Sequence, residues 1–294
     1  MSIHQAKSIS HKIFRALLRG FEGSVSALSR DTYMKMAVEI VEDLDRVVAI
    51  DTGKGVIKFH CDSEIARIRA AGALDREPDT IAWIDEFLPD DNFLDIGSNV
   101  GVFTLYAAII RGVNVTACDP LPQNHRALNQ NAVINGISDR ITTICAAMND
   151  CPTISALAVP AIADTAGGAG ATFGESYDNY QREIVASYRL NTLGVSVDDL
   201  VERFGMTVPN HIKMDIDGIQ DKVIAGAANT LKNPAVRSLM LELQPVNEPH
   251  NREVYDTVMR VMSDNGFKLD KVARATPNMT ADIEKYPTNN FFVR

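Results

Sequence analysis

No stretch of this chain approaches the roughly eighteen consecutive apolar residues of a membrane-spanning helix, so stable membrane insertion is not expected. Basic residues are not in excess either: 29 Lys and Arg stand against 38 Asp and Glu, a formal net charge of −9. Proteins that wrap duplexes or track RNA need basic faces, and this balance argues against nucleic acid as a partner. The four cysteines, Cys61, Cys118, Cys145 and Cys151, include no C-x-x-C pair. Reduced thiols of a cytoplasmic protein are therefore a simpler reading than disulfides or zinc. The N-terminal region has scattered basic residues but lacks the clean apolar core and small-residue cleavage site of a secretory signal. A cytoplasmic location is expected, and no internal repeat is present.

What is present suffices for a sizeable core: 46% of the residues are hydrophobic. Residues 1–30 read as a helical extension with Ile13, Phe14, Leu17, Leu18 and Phe21 on one face, beside Lys12, Arg15 and Arg19. Such a basic amphipathic face can lie on a membrane surface, but docking on the protein itself or on a partner subunit is the favoured reading, so a homodimer is a candidate assembly. Residues 33–44 are again helical in pattern. Val47–Ile50 and Val56–His60 read as a β-hairpin, then Ile65–Leu74 and Pro78–Phe87 as helices. From Asn92 strand and helix patterns alternate, which implies a parallel sheet covered by helices. The span 150–192 breaks that rhythm with Ala, Gly and Thr, and reads as a flexible wall or lid.

The organising stretch is Asn92–Gly101, N-F-L-D-I-G-S-N-V-G. An apolar run (Phe93, Leu94, Ile96) breaks into a loop with Gly97 and Gly101. Helical spacing then resumes through Val102, Leu105, Tyr106 and Ile109. Strand, tight turn and helix set a small ligand against open backbone at the end of a parallel strand, where a Cβ would block the turn or the ligand. A dinucleotide fingerprint would read G-x-G-x-x-G beneath a pyrophosphate; this loop reads D-x-G-x-N-x-G. Asp95 would repel a pyrophosphate and suits a ligand with positive charge. S-adenosylmethionine (SAM) carries a sulfonium and an amino group, and no phosphate.

Three further strand ends carry polar groups. Asp119 closes the second strand, about where nucleotide-binding α/β folds place an acid that grips both ribose hydroxyls; the plain alternative is a turn aspartate before Pro120. The fourth strand reads H-I-K-M-D-I-D-G, so alternation puts Lys213, Asp215 and Asp217 on one face. Charges on a central parallel strand are costly unless they pair or work. Either a Lys213–Asp215 ion pair anchors a neighbouring loop, or these groups bind substrate and do chemistry, the reading favoured at this end of a sheet. Glu242 ends the fifth strand, and His250 in the loop after it is a weaker candidate base.

The blocks E-P-D-T-I-A-W-I-D at 77–85, F-L-D-I-G-S-N-V-G, the Asp119-Pro120 turn with its asparagine-rich helix, I-K-M-D-I-D-G and L-M-L-E-L together resemble the FkbM-type family of SAM-dependent methyltransferases, over roughly residues 45–294. The resemblance implies a Rossmann-like class I α/β fold: a mostly parallel sheet with an antiparallel last strand and helices on both faces. An N-terminal helical and β-hairpin extension (1–75) would precede a methyltransferase domain (76–294) with an insertion at about 150–192. It implies methylation of a hydroxyl on a small-molecule or glycan acceptor. The matching positions nominate Asp95, Gly97, Ser98, Asn99 and Gly101 of the loop as cofactor contacts. Asp119, Pro120, Glu77, Ala147 and Asp215 complete that set. Asp119 and Asp217 stand where the family more usually has glutamate.

Methyl transfer from a sulfonium is an in-line displacement, and an alcohol needs its proton removed as the bond forms. Asp215 or Asp217 could serve as base, with Lys213 holding the emerging oxyanion. Alternatively a divalent cation such as Mg²⁺ on Asp215, Asp217 and Glu242 could activate the hydroxyl. Two rivals differ in class: an NAD-dependent oxidoreductase, which would want the three-glycine loop, and a non-catalytic SAM- or nucleotide-binding module, which would not need the strand-four charges. N-methylation would want an aromatic-proline tetrapeptide after strand four, and none follows.

Overall fold

A computed structural model describes residues 15–17, 19–20, 23, 29–44, 46–177, 182–275 and 277–294. The chain forms two compact units, residues 1–46 and 47–294. In the first, helix α1 (Arg30–Asp43) starts where the Ser29 side chain accepts the Thr32 N–H, a regular N-cap. Of the apolar face expected before it, Leu17 is described and exposed; Ile13, Phe14, Leu18 and Phe21 lie outside the described residues. Among the described residues no helix is long and apolar enough to cross a membrane.

The second unit opens with the expected hairpin, β1 (Val47–Asp51) paired antiparallel with β2 (Val56–His60). Helix α2 (Glu64–Ala71) is capped by Ser63, and α3 (Pro78–Ile84) begins at Pro78, whose missing N–H costs nothing there. There follow β3 (Asn92–Ile96), α4 (Val102–Tyr106), β4 (Asn114–Cys118), α5 (Pro122–Ile134), β5 (Ile141–Ile144) and the short β6 (Ala147–Met148). After β7 (Thr153–Val159), β8 (Thr172–Phe173) and β9 (Tyr188–Val195) come α6 (Val197–Glu202), β10 (His211–Met214) and α7 (Gln220–Ala225). The chain closes with β11 (Ser238–Leu243), α8 (Pro249–Asp264), β12 (Lys268–Arg274) and β13 (Thr288–Val293).

Seven strands form the main sheet in the order β12-β13-β11-β10-β3-β4-β5. All neighbours are parallel except β13, which runs antiparallel to β11 and β12. This is the Rossmann-like class I arrangement, mostly parallel with an antiparallel closing strand. Alternate residues feed two cores. Leu94, Ile96, Ile212, Met214, Leu239 and Leu241 pack with Val223 of α7 and with Val254, Val258 and Met262 of α8. Phe93, Val115, Ala117 and Met240 face Ile57 and Phe59 of the hairpin, Trp83 and Ile84 of α3, and Leu105 of α4. Both faces are therefore covered, as parallel sheets require.

Two elements differ from expectation. Strand β10 stops at Met214, two residues early, because Asp215 and its followers leave the ladder as a loop. In the span 150–192 the described residues form strands of a second sheet not expected from the sequence, with order β6-β9-β7-β8 and β7 antiparallel to β9 from Thr153↔Gly194 to Val159↔Tyr188. Its Thr-Ile-Ser-Ala-Leu-Ala-Val run does alternate, but alanines on the pleat hide the period that larger side chains would display. Leu157 and Val159 are fully buried in the main core.

At the N-terminal end of the sheet a set of buried polar side chains engage one another. The His211 ring stacks on Phe87 at 3.7 Å between centroids. Trp83 Nε1–H donates to Ser238 Oγ (2.9 Å), which lies 2.7 Å from His211 Nδ1, and His211 Nε2 lies 3.1 Å from Asp91 Oδ2. Arg237 pairs with Asp91 and stands against the same ring nitrogen. Burial pulls the His211 pKa down to about 4 against the pull of Asp91. A depressed histidine contributes stability that is present above its unfolded pKa of about 6.5 and lost as pH falls toward 4. Buried acids elsewhere with raised pKa values act in the opposite sense, so the test is a difference. Urea unfolding of wild type minus His211→Phe should change by about 2 kcal/mol between pH 7.5 and pH 5, wild type losing the more. A constant difference would mean that the ring titrates as it does in water.

Candidate active site

Strand β3 ends in a turn with positive φ at Gly97 (78°), Asn99 (53°) and Gly101 (88°). The turn hangs from β4: the N–H groups of Gly97 and Ser98 both donate to the Cys118 carbonyl, at 2.9 and 3.1 Å. A Cβ on Gly97 would lie 2.0 Å from the Asp215 carbonyl oxygen. Glycine is thus demanded by the close approach of the chain leaving β10, the first of the two expected reasons, a Cβ blocking the turn; Gly97 also lines the clefts described below.

Asp119 closes the loop from the end of β4. Its Oδ2 accepts the Asn99 N–H and its Oδ1 the Leu121 N–H, both at 2.9 Å, while Asn124 Nδ2 lies 3.3 Å from each. Burial pushes this carboxyl up to about 6 against those donors. Three donors leave an ionised carboxylate, with its roughly four lone-pair sites, some capacity for a ligand hydroxyl. Across the loop runs a glycine-rich strap from the inserted span. Asn99 Nδ2 donates to Gly168 O at 2.8 Å, Arg69 Nε to Gly167 O at 3.1 Å, and Gly167 N–H to Asn124 Oδ1 at 2.8 Å. Gly167 has φ of 88°, and a Cβ there would lie 2.8 Å from the Ala66 nitrogen, so the strap seats tightly on α2.

Lys213 is the hub of the charges. On β10 it sits in register with Asp95 on one side and Met240 on the other. It is 1% exposed, with Nζ 3.0 Å from Asp215 Oδ2, 3.9 Å from Asp95 Oδ1 and 4.9 Å from the Phe103 ring centroid. Burial works against the ammonium, but Asp215, Asp95 and Glu77 outweigh it and hold the pKa above the ordinary lysine range. Asp215 is pushed up by burial and pulled further down by Lys213, so it stays ionised. Its neighbour Glu242, raised well above the usual range by burial, Asp215 and Glu77, is hydrogen-bonded to it. Burial and Asp215 bring Asp217 to about 6. Glu77, raised by burial and Asp215, accepts Thr80 Oγ1 and Asn289 Nδ2 at 3.0 and 2.9 Å.

Three small clefts meet at Gly97. The first is apolar, with Cys118, Pro120, Ala147, Met148 and Phe173. The second holds Asn99, Asp119, Asn124, Gly168, Asp215 and Asp217. The third holds Arg69, Arg76, Glu77, Ser98, Lys213 and Asp215. The expected contacts Glu77, Gly97, Ser98, Asn99, Asp119, Pro120, Ala147 and Asp215 all line this chain of clefts. A larger cavity of about 520 Å³ lies near the start of β3 and β4, away from these acids.

Other expectations need correction. Asp95 lines none of the three clefts: it is wholly buried, Oδ2 accepting from Thr104 Oγ1 at 2.6 Å and Oδ1 facing Lys213. Burial pushes its pKa up and Lys213 pulls it back, so it bears on the clefts only through the lysine. Gly101 likewise lines none of them and caps α4 instead. Lys213, Asp215 and Asp217 do not share one strand face, because the strand ends before the two acids: Asp217 lines the first and second clefts, and Lys213 the third. Asp215, Asp217 and Glu242 form no cation trio; among the described residues no group of three His, Cys, Asp or Glu is placed to hold a metal ion. His250 lies in the first turn of α8 rather than in a loop, and lines none of these clefts. Arg69, Arg76 and Asn289 went unnoticed in the sequence, since isolated polar residues carry no motif.

Residues 95–269 match the family model described as the methyltransferase FkbM domain. The 31-O-demethyl-FK506 methyltransferase FkbM of Streptomyces tacrolimicus is 26% identical over 180 residues, which cover 55% of this chain and 68% of that protein. The solved structure of a methyltransferase FkbM from Methylobacillus flagellatus is 15% identical with a TM-score of 0.47; the match covers 70% of this chain and 44% of that one, so this chain spans less than half of that protein's length. Fibrillarin of Aeropyrum pernix, solved with natively bound SAM, matches at 9% identity and a TM-score of 0.43 over 76% of each chain.

If Lys213 neutralises this cluster, Lys213→Met should lower the unfolding free energy by about 3–5 kcal/mol, the range for stripping one partner from a buried ion pair. Denaturant unfolding at pH 7.5 measures it. Asp215→Asn, whose side chain is 32% exposed, should cost far less. Equal, small losses would mean that the lysine is not the hub.

Proposed function

This chain belongs to the FkbM family of methyltransferases, and we propose that it transfers a methyl group from SAM to a hydroxyl of a small-molecule or glycan acceptor. The chain of clefts fits SAM. The apolar first cleft, with Ala147, Met148 and Phe173, suits adenine; Asp119 in the second suits the ribose diol; the third, with the buried Ser98 and Glu77, suits the methionine end. Bound there, SAM would supply an electrophilic methyl whose sulfur departs as a neutral thioether.

The observation that carries the hydroxyl reading is Asp215. Its carboxylate lines the second and third clefts, is partly exposed, and is held ionised by Lys213 in a mostly buried setting. An acceptor hydroxyl placed beside it can pass its proton to Asp215 as the oxygen gains its new bond to carbon. Lys213 and the protonated Glu242 fix the carboxylate's orientation, and the ammonium offsets negative charge growing on the acceptor oxygen. Asp217, with a pKa of about 6, is also largely ionised near pH 7.5 and is the second base candidate.

With labelled SAM and a panel of hydroxylated acceptors, Asp215→Asn should lower turnover about 10²–10⁴-fold with the fold intact, the range for a lost general base. Turnover that survives in both Asp215→Asn and Asp217→Asn would remove these acids from the chemistry. SAM binding without transfer to any acceptor would favour a binding module. Separately, Asp119→Ala should weaken SAM binding by about 1.5–3 kcal/mol in titration calorimetry, the worth of a hydrogen bond to a charged group. Unchanged affinity would make Asp119 a turn residue alone.

A further inference from the structure

The third cleft holds more cationic capacity than hydroxyl methylation needs. The Arg76 guanidinium makes no hydrogen bond or ion pair among the described residues, and it lines the cleft. Arg69 lines it too; its Nε goes to the Gly167 carbonyl, while its terminal nitrogens make no hydrogen bond among the described residues. Burial pulls the Arg69 pKa down, Asp215 pulls it back up and the neighbouring Arg76 lowers it again, so two like charges share this space without a direct ion pair among the described residues. An independent sign comes from Ser98. This side chain is 5% exposed, lines the same cleft, and its Oγ has no hydrogen-bond partner. Buried hydroxyls are seldom left so, and an orphan at a cleft wall points to a missing acceptor. Two guanidiniums can only donate and the hydroxyl can donate beside them, and the one group that would satisfy all three is an anion.

The acids of the same cleft decide which anion. Glu77 and Asp215 line it together with the arginines, and both pull the Arg69 pKa up. They would repel a phosphate dianion, but they suit a cation carried on the same ligand. A cleft that holds both guanidiniums and carboxylates matches a zwitterion.

We propose that Arg69, Arg76 and Ser98 form a carboxylate-binding subsite that, with Glu77 and Asp215 of the same cleft for the ammonium, takes the amino-acid end of SAM. The inference rests on the SAM reading given above and adds residues that the family blocks do not nominate. It makes the segment between α2 and α3 part of the cofactor site. The other source of the same chemistry is a carboxylate on the acceptor.

The test is titration calorimetry of the full chain with SAM and with decarboxylated SAM, which lacks only the carboxylate. Wild type should bind decarboxylated SAM at least about tenfold more weakly than SAM, the scale of one charge-assisted pair. In Arg76→Gln the loss should fall on SAM alone, so that the two ligands become nearly equal. Ser98→Ala should shrink the ratio in the same direction, and serves as the second variant should Arg76→Gln fold poorly. A wild type that discriminates, with the ratio unchanged in both variants, would place the carboxylate elsewhere and overturn the subsite. Equal binding of both ligands by wild type, with Arg76→Gln raising only the KM of a carboxylated acceptor, would assign the pair to the acceptor and overturn the cofactor assignment. Failure of wild type to bind SAM at all would overturn the SAM reading itself, a distinct result.

Discussion

The buried ammonium of Lys213 is the interaction on which the site depends. It sits where β3 and β10 run side by side, within 4 Å of both Asp95 and Asp215. Removed from water, neither acid could stay charged there without it. The lysine in turn keeps its proton because several carboxyls surround it. From this balance follows an ordering of protons: Asp215 is ionised, Asp217 is near its midpoint at pH 6, and Glu242 is neutral. Asp215 and Asp217, which line the second cleft together, thus have separated proton affinities, as acid–base chemistry requires.

The two ends of the sheet make the point by contrast. At the N-terminal end, Asp91, His211, Arg237, Ser238 and Trp83 satisfy one another, a network that holds strands and α3 together. At the C-terminal end Ser98 Oγ and Asp95 Oδ1 lack hydrogen-bond partners, and Arg76 has none among the described residues. Buried polar groups normally pair. Charged clusters occur at both ends, so charge alone does not mark the site; incompleteness does.

Much of this was legible in the sequence. The strand–loop–helix at Asn92–Gly101 and the alternation of elements come from apolar periodicity, which survives any tertiary detail, and the antiparallel close from the family resemblance. The Lys213–Asp215 pair was also readable as one of two options, from charge on a central strand. What could not be read depends on where neighbouring backbones pass. Gly97 could be read as needed for the turn or for the ligand, and only the fold shows the Asp215 carbonyl packed against it. Asp95 looks like a cofactor contact until Lys213 and Thr104 are seen to enclose it. The sheet of β7 and β9 was hidden because its alanines blur the two-residue period. Arg69 and Arg76 carry no pattern; only the fold brings them to Ser98.

The strap at Gly167 and Gly168 ties these parts into one unit. Its carbonyls take hydrogen bonds from Asn99 of the loop and Arg69 of α2, and its Gly167 N–H reaches Asn124, which also lies against Asp119. The same few backbone groups therefore set the loop of the third cleft, the acid of the second and the arginine between them. A displacement of the strap would release Arg69 and Asn99 together and alter both ends of the cleft at once. That explains why glycine is required at position 167, where a side chain would push the strap off Ala66. It also gives the inserted sheet a physical role: β7 and β9, anchored in the main core through Leu157 and Val159, are the rigid base that holds the strap in place.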